Sequence, residues 1–62
     1  MDGRDILRIE DGKITYVLSK YDKKYRLFKY DDKNHILTTW EIAALSDRQA
    51  KHSTLITLLD FI

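Results

Sequence analysis

The chain has 62 residues, 44% of them hydrophobic and 34% charged, with eleven Lys and Arg set against ten Asp and Glu for a net charge of +1. Such a length makes one domain at most, here residues 1–62, burying only about 60% of the surface its unfolded form exposes. Cysteine and proline are absent and glycine occurs twice, which excludes disulfides, thiolate metal sites and a low-complexity linker.

The N-terminal stretch Met1-Asp2-Gly3-Arg4-Asp5 has no signal-peptide character. No apolar run approaches the ~18–20 residues of a membrane span, so a cytoplasmic protein without a membrane partner is expected. The first strand is Ile6–Glu10 and the second Lys13–Tyr21, separated by Asp11-Gly12. Asp-Gly between two β-rich runs is a strong hairpin signal, because a type I′ turn needs φ > 0 at both central residues. With Asp11-Gly12 as the loop, Glu10 faces Lys13, Ile9 faces Ile14, Arg8 faces Thr15, Leu7 faces Tyr16 and Ile6 faces Val17.

A second turn is expected at Asp22-Lys23. It pairs Leu18 with Leu27, Val17 with Phe28 and Ser19 with Arg26, and makes Lys24–Tyr30 the third strand. Asp31–Asn34 are turn formers, after which His35–Leu37 reads either as a short fourth strand or as the entry to a helix.

Thr38-Thr39-Trp40-Glu41 fits a capping box, opening a short helix through Ile42–Leu45. Ser46-Asp47-Arg48-Gln49 repeats that pattern, so a second helix starts near Asp47. Its stripe of Ala50, Leu55, Leu58, Leu59 and Ile62 has helical spacing, while Thr54, Ile56 and Thr57 would also suit a strand. The fold expected is α+β: a three-stranded antiparallel meander, with or without a fourth strand, then one or two helices packed on one sheet face.

Alternation assigns the faces. Face A carries Leu7, Ile9, Ile14, Tyr16, Leu18, Tyr25 and Leu27. Face B carries Ile6, Arg8, Val17, Tyr21, Lys24, Arg26, Phe28 and Tyr30. A sheet covered on one side should have one polar face, but the middle strand is apolar on both. Either helices cover parts of both faces, or face B meets a partner. Tyr and Phe interspersed with Arg match the composition of interface centres. Partner-binding candidates are therefore Arg8, Val17, Tyr21, Lys24, Arg26, Phe28 and Tyr30, with Val17, Arg26, Phe28 and Tyr30 expected as one exposed patch.

The alternative partner is nucleic acid. Lys20–Lys33 carries six basic residues against three acidic ones, interleaved with Tyr21, Tyr25, Phe28 and Tyr30, so that stacking and phosphate contacts are both available. The solvated reading is that these lysines guard a sheet edge, and a net +1 is far from a strongly basic domain. Thr38–Leu45, with its Glu41-Ile42-Ala43 triplet, is similar to the first helix of a helix-turn-helix. Strands followed by a Trp and a helix, with Tyr25, Lys29, Tyr30 and Trp40, resemble the sheet-reading N-terminal domains of conjugative-transposon integrases, whose three-stranded sheet enters the major groove.

Chemistry is thinly represented. His35 and His52 have no companion at metal-ligand spacing, and no spacing links Ser19, Ser46 or Ser53 to a histidine and a carboxylate. No cofactor, metal or small-molecule substrate is expected. Trp40 is expected in the core where helix meets sheet. The function expected is that of a non-enzymatic regulator or inhibitor, of the kind phages and mobile elements encode, binding another protein or itself through the sheet.

Overall fold

The computed structural model describes residues 3–60. Four strands, β1 (Arg4–Asp11), β2 (Ile14–Tyr21), β3 (Lys24–Tyr30) and β4 (Ile36–Ile42), form one antiparallel sheet in the order β1-β2-β3-β4, followed by the helix α1 (Asp47–Leu59). The α+β class expected from the sequence is correct. Its meander is extended by a full fourth strand, and one helix stands where two were entertained.

The first hairpin turns one residue later than expected. Asp11 pairs with Ile14, Ile9 with Tyr16, Arg8 with Val17 and Leu7 with Leu18. The loop is Gly12-Lys13, with Gly12 at φ +62° in its first central position, where a type II′ turn calls for glycine. Moving the loop by one residue shifts the pairing by two, and a shift of two preserves the side-chain face. Both face assignments therefore survive, apart from Ile6. A bulge between Asp5 and Leu7 inserts one extra residue, and Ile6 packs against the face A core instead of joining face B.

The second turn is as expected. Tyr21 pairs with Lys24, Leu18 with Leu27, Val17 with Phe28 and Ser19 with Arg26. Asp22 and Lys23 take φ of 51° and 70°, so both central residues of the loop are left-handed without a glycine. The third turn is built by Asp31, whose Oδ1 accepts the amides of Lys33 (2.9 Å) and His35 (2.8 Å). Asn34 there adopts φ 63°, a conformation Asn tolerates through local hydrogen bonding.

The capping box at Thr38–Glu41 does not form. Those residues lie in β4, where Trp40 pairs with Leu27 and Glu41 with Arg26. Thr, Trp and Ile are strong strand formers, and β3 would otherwise present an unpaired edge, so pairing outcompetes a one-turn cap. The helix-turn-helix likeness falls with it. The second signal does start the helix: Ser46 Oγ accepts the Gln49 amide at 3.2 Å, while Gln49 Oε1 reaches one residue past the cap and accepts the Leu45 amide at 2.7 Å.

Face A holds the core. Tyr16, Leu18, Tyr25, Leu27 and Ile42 from the sheet meet Ala50 and Leu58 from α1, with Leu7, Ile9, Ile14 and the half-buried Trp40 around them. Trp40 is thus a core residue, as expected, but it stands within a strand. The buried row of α1 is Ala50, Thr54 and Leu58, spaced i, i+4, i+8 on one side of the helix. This corrects the expected stripe: Leu55 is 48% and Leu59 70% exposed, while Ile62 lies outside the described residues. Two of these three inward side chains, Ala50 and Thr54, are small. Leu55 and Leu59 are left lining an apolar groove with Ile9 and Leu58 beside β1.

A cluster around Asp47 fastens the helix start to the sheet. Its Oδ2 lies 2.6 Å from Arg4 Nη2, Tyr25 donates its hydroxyl to Oδ1 at 2.7 Å, and Lys20 Nζ lies 3.9 Å away. Lys20 also sits over the Tyr25 ring, 5.3 Å from its centroid. The Tyr25 hydroxyl, and then Arg4 and Lys20, hold the Asp47 carboxyl below the usual carboxylate range. The same hydrogen bond, with burial, pushes the Tyr25 phenol up. No helix among the described residues is long and apolar enough to cross a membrane.

Candidate interaction surface

The helix packs on face A, and the envelope of 30 × 27 × 14 Å holds no second layer over face B among the described residues. Seven residues converge on that face. Val17 and Tyr21 come from β2. Lys24, Arg26, Phe28 and Tyr30 alternate along β3, and Arg8 stands beside Val17 on β1. These are the seven partner-binding candidates, brought together by the period-2 alternation of strands.

Three aromatic rings run in a row. Tyr21 meets Phe28 edge-on at 6.2 Å between centroids, and Phe28 meets Tyr30 at 6.0 Å with the planes tilted by 30°. Both spacings fall within the range where ring quadrupoles attract. Gly3 lies against this row, so close that a Cβ there would run into the Tyr21 ring. Arg8, Lys24 and Arg26 are exposed around the rings. Arg8 Nε lies 3.2 Å from Glu10 Oε1, and Arg26 stands opposite Glu41 across the β3–β4 pair.

One expectation needs correcting. Val17 is only 7% exposed, and Phe28 and Tyr30 are half-buried. Val17 sits between Arg8 and Phe28 in an inner strand, and the long neighbours screen the short one. The face therefore has a recessed floor and a raised rim.

The recess is a shallow concavity of about 190 Å³ lined by Asp5, Arg8, Thr15, Val17, Ser19, Tyr21, Tyr30 and Asn34. At its base the buried Ser19 donates its hydroxyl to Asp5 Oδ1 at 2.8 Å. Alternation places Thr15 and Ser19 on this face, opposite Tyr30 and Arg26, although neither was among the binding candidates. Sequence reasoning missed Asp5, which reaches the recess only through the β1 bulge, and Asn34, which reaches it only through the fold of the third turn.

The basic segment Lys20–Lys33 does not form one platform. Lys20 turns to face A and Asp47, Lys29 stands opposite Tyr16 on face A, and Lys23 and Lys33 lie in turns. Only Lys24 and Arg26 share a face with the aromatic row. The integrase-like set is also divided: Tyr25, Lys29 and Trp40 are on the helix-covered face and Tyr30 on the other. His35 Nδ1 lies 3.5 Å from Asp31 Oδ2, within the third turn. Among the described residues no three His, Asp or Glu side chains come together as a metal site would require. Comparison of the chain with protein-family models, with curated proteins and with solved structures returned no match.

Proposed function

We propose that this protein is a non-enzymatic regulator or inhibitor that binds another protein through face B. The observation that carries the reading is the row Tyr21–Phe28–Tyr30, rimmed by Arg8, Lys24 and Arg26, on a sheet face that no helix or strand covers among the described residues. Aromatic and Arg side chains are the groups that most often anchor interface centres.

The test is Arg26→Glu alongside Phe28→Ala, in binding to a partner protein isolated from the native host. Each should weaken binding by roughly 1–3 kcal/mol if it is a central anchor, while Arg26→Gln, which removes the charge without setting a carboxylate opposite Glu41, is the companion variant that leaves the fold unchanged, because Arg26 is exposed. Affinity should be nearly indifferent to salt. A steep linear fall of log K with log salt would instead identify phosphate contacts and a nucleic acid. If both variants bind like the wild type, the reading is wrong.

A further inference from the structure

The two edges of the sheet differ sharply in charge. In β1, Arg4, Asp5, Arg8, Glu10 and Asp11 make five of eight residues charged, whereas in β4 Glu41 is the one charge among seven. Charged side chains are how natural sheets guard an edge against another strand. β1 is guarded in this way and β4 is not. β4 pairs with β3 on one side, and among the described residues no strand lies on its other side. Ile36, Leu37, Thr38, Thr39 and Glu41 are all exposed.

We propose that β4 pairs with β4 of a second copy, antiparallel, about a twofold axis through Thr39. The register centred there pairs Thr38–Trp40 regularly and brings Glu41 beside the bulged Leu37. Thr39 meets Thr39, a favourable cross-strand pair, and Thr38 meets Trp40 on either side of it. Glu41 meets Leu37 and lies diagonal to His35, so no like charges oppose one another. Moving the axis to Glu41, a slide of four residues in the pairing, would set two carboxylates face to face. A bulge at Leu37, between the Lys29 and Tyr30 pairings, bends the start of the strand and leaves Thr38–Ile42 as the regular stretch. The twofold stands perpendicular to the sheet, so the product is one eight-stranded sheet with both helices on the same side and both B faces on the other.

A second copy fits this edge better than a charged partner does. The chain carries only +1, so two copies scarcely repel. The guarded β1 edges would end the new sheet on both sides, giving a closed dimer instead of a fibre. Thr39 stands opposite Phe28, so the variant that separates this contact from face B is Arg8→Ala, on β1 at the far edge of the sheet, which should leave the dimer intact.

Analytical ultracentrifugation at concentrations up to about 500 µM, a range that captures weak dimers, should show the wild type moving from 7.4 kDa toward twice that mass. Thr39→Lys places two ammonium groups across the axis and should weaken the dimer at least about tenfold. Leu37→Lys, which sets an ammonium opposite Glu41 of the other copy, should preserve it. Hydrogen exchange on the wild type supplies an independent check: alternate amides in Thr38–Ile42, and none in β1, should gain protection as concentration rises. A wild type that stays at 7.4 kDa throughout, a dimer indifferent to Thr39→Lys, or concentration-dependent protection outside β4 overturns the proposal.

Discussion

Replacing Thr54 by Val removes one buried hydroxyl and should stabilise the protein. Thr54 is fully buried at the centre of the helix row that faces the sheet, and its Oγ1 makes no hydrogen bond among the described residues. A buried polar group without a partner costs about 1–3 kcal/mol of desolvation, and a methyl in its place adds about 0.8 kcal/mol of apolar burial. Val has nearly the same shape and the same β-branching, so helix propensity changes little. Allowing for imperfect fit, the expected gain is about 1–2 kcal/mol. At about 4–8 °C per kcal/mol for a domain of this size, the melting temperature should rise by roughly 5–15 °C. Thermal and urea melts followed by Trp40 fluorescence would measure it, with an unchanged urea slope confirming that the same surface is exposed. Thr54→Ala serves as the control, since it deletes the same hydroxyl and also opens a methyl-sized void. If Thr54→Val lowers stability while Thr54→Ser does not, the hydroxyl has a partner and the packing of helix on sheet differs from that described.

Lys23→Gly should raise stability by about 0.5–1 kcal/mol, since Lys23 holds φ 70° in a turn that prefers Asp-Gly; a urea midpoint that falls would show that the strain is absent. Leu27→Ala should leave the chain largely unfolded at 25 °C, because Leu27 is fully buried and the loss of about 2–5 kcal/mol rivals the whole stability of so small a core, about 3–5 kcal/mol; far-UV circular dichroism would decide. Acid should destabilise the fold as pH falls below about 4, the ordinary carboxylate value. There the unfolded chain takes up protons that the folded state resists at Asp47, held down by the Tyr25 hydroxyl, and at Asp31, held down by the His35 and Lys33 amides. Asp47→Asn should flatten that arm of a stability–pH curve, and an unaltered slope would show that the Asp47 cluster does not form. Alkali should act through Tyr25, whose raised phenol pKa makes its contribution present below about pH 10 and lost as pH rises beyond it.

The two-faced character of the sheet was legible in the residues. Strand side chains alternate with a period of two, so Leu7, Ile9, Tyr16, Leu18, Tyr25 and Leu27 share a face in any register that slips by an even number. That is why moving the loop from Asp11-Gly12 to Gly12-Lys13 changed every partner in the first hairpin and left the seven face B candidates together. The helix start was equally local, because Ser46 and Gln49 complete the cap within their own turn.

Other features depended on atoms far away in the chain. Thr38-Thr39-Trp40-Glu41 satisfies the rules for a cap and for a strand alike, and the open edge of β3 decided between them. Which side of α1 is buried was also settled by its docking on face A: Ala50, Thr54 and Leu58 turned inward, while Leu55 and Leu59 stayed exposed. The bulge that turns Ile6 to the core, and the screening of Val17 by Arg8 and Phe28, are likewise products of neighbouring strands. Periodicity and capping are encoded within a few residues. Competition for an edge, and the docking of a helix on a sheet, exist only once the strands have met.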